Sequence, residues 1–169
     1  MHKMQLINKK LFILIFTSSI LLILNFPLGD FIASNDSFFH LIRIEELARN
    51  IKNGIWLPSL QFDNVSGMGY LVDIFYPNTF FYIPSLLRLS GLNVVYCMLF
   101  QLISFNILAI SLTYFYGTKS KLFTEKEVFV LIFLYYTNFF IRMTFLLESF
   151  VYSFYCAFLF FPLIYIGLY

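Results

Sequence analysis

The tightest constraint on this chain is how it distributes its charge. Residues 89–118 contain no Asp, Glu, Lys or Arg. Residues 11–29 and 149–169 contain none either, and residues 128–147 contain only Arg142. About 19 residues at ~1.5 Å per residue just reach across a hydrocarbon core of about 30 Å. The four runs therefore predict four membrane spans. Composition agrees: 60% of the residues are hydrophobic and 12% are charged, against roughly 45–50% and about 25% in soluble domains. A domain of 169 residues has too little interior to hide that much apolar surface. This excludes a soluble enzyme and a disordered chain. A net charge of +2, thinly scattered, excludes a nucleic-acid binder.

Direction follows from the basic residues. Lys3, Lys9 and Lys10 precede the first run, and Lys119, Lys121 and Lys126 lie between the second and third. The positive-inside rule places both groups in the cytoplasm. The first run exceeds a usual signal-peptide core and has no clear cleavage site, so it reads as an uncleaved span. The resulting expectation is a multi-pass protein of the bacterial cell membrane with its N-terminus in the cytoplasm. It forms one all-α integral membrane domain, 1–169, with spans 11–29, 93–117, 128–147 and 149–169. The chain stops as the fourth span returns, which reads as the front section of a longer protein.

The segment 30–88 differs. It carries six acidic and four basic residues, half of the chain's formal charges, and falls outside the cell. Asn35 or Asp36 can cap a helix over 36–53, and Gly54 can stop it. Leu41, Ile44, Leu47, Ala48 and Ile51 share one face at helical spacing, opposite Glu45, Arg49 and Lys52. Glu45 and Arg49 form an i,i+4 pair. This amphipathic helix suits a position along the membrane surface. A second apolar segment is short and interrupted by Pro77 and Pro84, and it predicts an interfacial helix over 77–90.

Chemistry can be placed at a few positions. Asp36, His40 and Arg43 are spaced i, i+4, i+7 and align along the edge of the apolar face. The plain alternative makes Asp36 a helix cap and Arg43 a side chain that snorkels to headgroups. Trp56, Tyr70, Phe75, Tyr76, Phe80, Phe81 and Tyr82 suit either an interfacial aromatic belt or sugar stacking. Gly67 and Gly69 mark a tight turn. Arg142 can snorkel outwards from the third run, and Glu148 falls in the next outer connection. Cys97 and Cys156 read as small buried hydrophobes rather than a disulfide. Two histidines, His2 and His40, are too few for a histidine-rich metal site. A small channel is disfavoured, because no polar residues recur regularly along the later runs.

The strings NDSFFHLIRIEELARNIKNGIWLP and GMGYLVDIFYPNTFFYIPSLLRLSGL resemble a bacterial polytopic membrane family of the YfhO type, labelled "6-pyruvoyl-tetrahydropterin synthase-related". That family in turn is similar to the GT-C glycosyltransferases, which use lipid-phosphate-linked sugars. The resemblance is clear over roughly residues 5–118. It implies a first span, a large outer loop with two surface-lying helices, and further spans. It also implies that Asp36 is the first-loop acid, acting as general base on an acceptor hydroxyl or helping to hold a divalent metal. Arg43 would steady the departing lipid phosphate, beside His40. Tyr70 and Tyr76 would contact the substrate. Glu148 would be a second acid, although Leu147 stands where relatives carry Gly. The implied partners are the lipid bilayer and a polyprenyl-phosphate-linked sugar donor, with a cell-envelope acceptor. No soluble protein partner can be inferred. The alternative is a non-catalytic polytopic protein, flippase-like or an assembly partner, that shares the fold.

Overall fold

A computed structural model describes residues 2–24, 37–59, 71, 78–120, 122–138 and 152–168. Among the described residues the chain is helical and contains no strand. In order the helices are α1 (His2–Leu24), α2 (Ser37–Lys52), α3 (Tyr82–Leu89), α4 (Val94–Lys119), α5 (Glu125–Tyr136), α6 (Tyr152–Leu159) and α7 (Phe161–Gly167). A 3-10 turn, Asn78–Phe81, leads into α3. The chain divides into two compact units. Unit 1 is Met1–Phe31 with Leu102–Tyr169, and unit 2 is Ile32–Gln101. The segment expected to be a loop is thus a unit with its own core.

Unit 2 is built on α2. Leu41, Ile44, Leu47, Ala48 and Ile51 are all buried, as their spacing predicts. α2 ends at Gly54, whose φ of +82° suits glycine. Gly54 N–H donates to the Ile51 carbonyl at 2.9 Å and Ile55 N–H to the Asn50 carbonyl at 2.8 Å. This Schellman arrangement satisfies carbonyls that the helix end would otherwise orphan. α3 tolerates Pro84 because it lies in the first turn, where no N–H is needed. Ser85 Oγ donates to the Ile44 carbonyl at 3.0 Å, and Arg88 Nε donates to Glu45 Oε1 at 2.7 Å. These contacts seat α3 on α2. The apolar face of α2, expected to meet lipid, is therefore covered by protein. Glu45 pairs with Arg88 rather than Arg49, and Arg49 lies 3.4 Å from Glu46.

Unit 1 contains α1, the length of α4 from Leu102, and α5 to α7. Three of its polar side chains, Ser18, Asn106 and Thr113, are buried. Asn106 Nδ2 donates to Ser18 Oγ at 3.1 Å, and Ser18 Oγ donates to the Tyr136 carbonyl at 3.1 Å. Thr113 Oγ1 lies 2.9 Å from Tyr136 Oη, which donates to the Leu159 carbonyl at 2.8 Å. One connected set of hydrogen bonds thereby ties α1, α4, α5 and α6. Gly117 admits close packing, since a Cβ there would stand 3.0 Å from a methyl of Val128. α5 opens with a reciprocal cap: Thr124 N–H donates to Glu127 Oε2 at 2.6 Å, and Glu127 N–H donates to Thr124 Oγ1 at 3.4 Å.

The spans expected from charge fare differently. Among the described residues only α4, 26 residues long, has the length and apolarity to cross a bilayer alone. α1 starts well before Leu11, and residues 25–30 lie outside the described set. α5 has 12 residues, only about 18 Å at the helical rise, and residues 139–150 lie outside the described set. Within the run 149–169, the described residues 152–168 form two helices broken at Phe160. Proline lacks an N–H and crowds the preceding turn, so Pro162 begins a new helix rather than continuing the old one.

Candidate functional site

His40 and Arg43 stand one turn apart on α2 and both point into unit 2. Arg43 is 2% exposed and His40 7%. Removing a guanidinium from water is costly unless its charge and donors are met. Here Arg43 Nη2 donates to Asn78 Oδ1 at 3.0 Å. Its Cζ lies 4.5 Å from the centre of the Phe81 ring and 5.6 Å from that of Phe39. Both distances suit cation–π attraction. The same Phe81 ring stacks on His40, with centroids 5.6 Å apart. The 3-10 turn Asn78–Phe81 thus closes over this end of α2 and takes the cation between its two ends.

Electrostatics set the imidazole's state. Burial, reinforced by the Arg43 charge, lowers the His40 pKa from 6.5 to about 4. His40 is neutral at physiological pH, a hydrogen-bonding group and a weak base. Arg43 is a fixed cation held by the turn rather than displayed to solvent. Together they can hold a negative charge nearby without themselves exchanging protons.

The structure brings His40 and Arg43 together. Asp36, Tyr70, Tyr76 and Glu148 lie outside the described residues. Of the aromatic residues grouped by sequence, Phe81 is core at 1% exposure, whereas Trp56 is exposed at 55%. The Trp56 carbonyl accepts from Tyr82 Oη. Among the described residues no three His, Cys, Asp or Glu side chains gather as a metal centre. Cys97 and Cys156 are buried and in no disulfide.

Sequence reasoning missed Asn78, the oxygen that meets Arg43. The available signal was an amide directly after Pro77 and before two aromatics, a turn-forming sequence. It also missed Gln101, whose Nε2 donates to the Phe80 carbonyl. A lone amide near the start of a long apolar run was the sign. Compared with protein-family models, with curated proteins and with solved structures, the chain matches none.

Proposed function

We propose that this chain is membrane-embedded and GT-C-like and serves glycosyl transfer, with unit 1 in the bilayer and unit 2 outside the cell. The membrane part of this reading is supported by what unit 1 leaves outside: its core is mostly apolar, with Leu102, Ile110, Val128 and Ile132 buried, yet large apolar side chains are exposed as well. Ser18, Asn106 and Thr113 are buried, while Phe12, Ile13, Phe16, Phe133 and Leu134 are exposed. In water the exposed apolar side chains are unfavourable. In lipid the arrangement is the expected one, because polar side chains join helices and apolar ones meet acyl chains.

The glycosyl-transfer part rests on the resemblance and on the order of Asp36, His40 and Arg43 along one helix edge. By the resemblance, the carboxylate of Asp36 is the group that would act as base, with Glu148 as the second acid. Asp36 would accept the proton of an acceptor hydroxyl as that oxygen attacks the sugar carbon bonded to the lipid phosphate. Arg43, through its fixed positive charge, would favour the departing phosphate.

A non-catalytic membrane protein is the second reading. The enclosure of Arg43 by Asn78 and Phe81 favours it, since both contacts also serve to hold the fold.

Asp36→Asn separates the two. The glycosyltransferase reading predicts that transfer from a polyprenyl-phosphate sugar falls by about 10²-fold or more while membrane insertion is unchanged. Undiminished transfer by the Asn variant would remove the catalytic role. A loss of only about 1 kcal/mol in stability, with no transfer to lose, fits a helix cap.

A further inference from the structure

Pro162 has no N–H, so the Phe158 carbonyl lacks the donor four residues on that a continuous helix would supply. Leu163 N–H donates to the Phe160 carbonyl at 3.0 Å, which leaves the Leu159 carbonyl as well. Two neighbouring tyrosines of α5 take both: Tyr135 Oη donates to Phe158 at 2.7 Å and Tyr136 Oη to Leu159 at 2.8 Å. The break is thus a supported joint, and α7 beyond it is a wall held in place. α7 and the end of α4 bound an open cleft of 430 Å³, a size within the range of about 300–1,000 Å³ of ligand pockets. Each side lines it with an i, i+3, i+4 set: Tyr116, Lys119 and Ser120 at the end of α4, and Leu163, Ile166 and Gly167 on α7. One wall is polar and the other apolar. Among the described residues Lys119 is the one charge in the lining, and no carboxylate lines it. The carbonyls at the end of α4 are met by other groups: Ser120 N–H donates to Tyr116 at 2.9 Å, Ser120 Oγ to Gly117 at 2.9 Å and Thr118 Oγ1 to Tyr114 at 2.8 Å. The Lys119 ammonium is not needed there. It is exposed, lies 4.2 Å from the centre of the Phe115 ring and forms no ion pair among the described residues.

We propose that this cleft is a site for one anionic phospholipid, with its phosphate on Lys119 and an acyl chain against Leu163 and Ile166. The inference rests on the membrane reading above, which puts the end of α4 at the cytoplasmic surface, where headgroups and acyl chains meet. Charge and apolarity together select the occupant. A zwitterionic lipid brings no net charge for Lys119. Inorganic phosphate brings nothing for Leu163 and Ile166. Gly167 keeps the cleft open: a Cβ there would meet no atom within 4 Å, so a larger side chain at 167 would occupy the cleft without disturbing the fold.

Native mass spectrometry of the full chain, released from detergent micelles containing phosphatidylglycerol or phosphatidylcholine, counts bound lipid and reads its affinity. One phosphatidylglycerol should bind ahead of all further lipid. A cation beside an anionic lipid is worth about fivefold, so Lys119→Gln should weaken that binding by about fivefold. Lys119→Arg should preserve it, and Lys126→Gln, outside the cleft, should leave it unchanged. Gly167→Leu fills the cleft and should weaken binding by about tenfold or more with helix content unaltered. Equal retention of phosphatidylcholine, displacement of the lipid by inorganic phosphate, or an affinity unchanged by Lys119→Gln or by Gly167→Leu would each overturn the proposal. So would a dimer that Gly167→Leu converts to monomer, which would make the cleft an interface between copies of the chain. The membrane reading is tested separately in nanodiscs, with Cys97 and Cys156 replaced by alanine and an environment-sensitive fluorophore at Phe133→Cys. A probe at 133 that reports water overturns the membrane reading itself. Acyl chains around 133 with no anionic lipid retained in the cleft overturn only the lipid site.

Discussion

Units 1 and 2 each bury an apolar core but differ in the polar groups beside it: among the described residues unit 2 buries eight polar or charged side chains, His40, Arg43 and Glu46 among them, and unit 1 buries three uncharged ones. In unit 2 the apolar row of α2 is inside, and Arg49 and Lys52 are outside. In unit 1 Ser18, Asn106 and Thr113 are inside, while Phe16, Phe133 and Leu134 are outside. The same 20 side-chain types obey the same rule in both, because each group goes where its surroundings cost least. On the proposed membrane reading, what differs is the solvent that the outer surface must satisfy. Burial of Leu or Ile from water stabilises by about 1.5–3 kcal/mol per side chain, which accounts for the core of unit 2. Were unit 1 in lipid, as proposed, that force would vanish at its outer surface, and hydrogen bonds between helices and close packing at Gly117 would take over. Unit 2 also leaves large apolar side chains outside, among them Phe38, Trp56, Leu57 and the row Ile83, Leu86 and Leu89 on α3.

Paired aspartate substitutions give the largest test of this contrast. Ile44→Asp puts an unpaired charge into the core of unit 2 and should cost about 4 kcal/mol or more. Phe133→Asp changes an exposed site, 47% accessible, and would shift stability by no more than about 0.5 kcal/mol on a water-facing surface. Facing lipid, it should instead reduce membrane insertion by about 2.5–3.5 kcal/mol. Insertion assays that find Phe133→Asp neutral break the comparison.

The next effect is a pH dependence confined to unit 2. His40 titrates near 4 in the fold and near 6.5 when unfolded. Between those values the unfolded chain binds the extra proton, so acid favours unfolding. Stability of unit 2 should be flat above pH 6.5 and fall as pH drops towards 4, by up to about 3 kcal/mol. His40→Gln should flatten this limb in denaturation curves recorded across that range. An unchanged acid limb in the variant contradicts a buried neutral imidazole.

The smallest effect sharpens the account of unit 1. Asn106→Leu removes the amide that donates to Ser18 at 3.1 Å. Interhelical hydrogen bonds in membranes are worth about 0.6 kcal/mol on average and at most about 1.7. A loss of about 1 kcal/mol in detergent unfolding is therefore expected. A loss of several kcal/mol would mean that unit 1 buries this group from water rather than from lipid.

Much of unit 2's frame was legible. The period of Leu41, Ile44, Leu47, Ala48 and Ile51, with Gly54 as stop, locates α2 because local backbone chemistry decides it. What covers that face was not legible, since periodicity marks an apolar side without naming its neighbour. The seat of α3 depends on Ser85 meeting the Ile44 carbonyl, a contact between residues 41 positions apart. The Thr124–Glu127 cap was readable from its T-x-x-E spacing, and so was the break ahead of Pro162. Asn106 and Thr113 are seven residues apart on one face of α4. That spacing is a faint sign of a shared interface, hidden because each stands alone in an apolar run. The enclosure of Arg43 was least readable, because Asn78 and Phe81 come from a turn 35 or more residues away.

Site-directed cysteine labelling tests most directly whether the two units have different surroundings. Lys52→Cys and Lys126→Cys are both exposed positions, one in each unit, and the native thiols are buried. In intact cells a membrane-impermeant maleimide should label position 52 and spare position 126 until the membrane is opened. Labelling of both without opening the membrane, or of position 126 alone, contradicts the account.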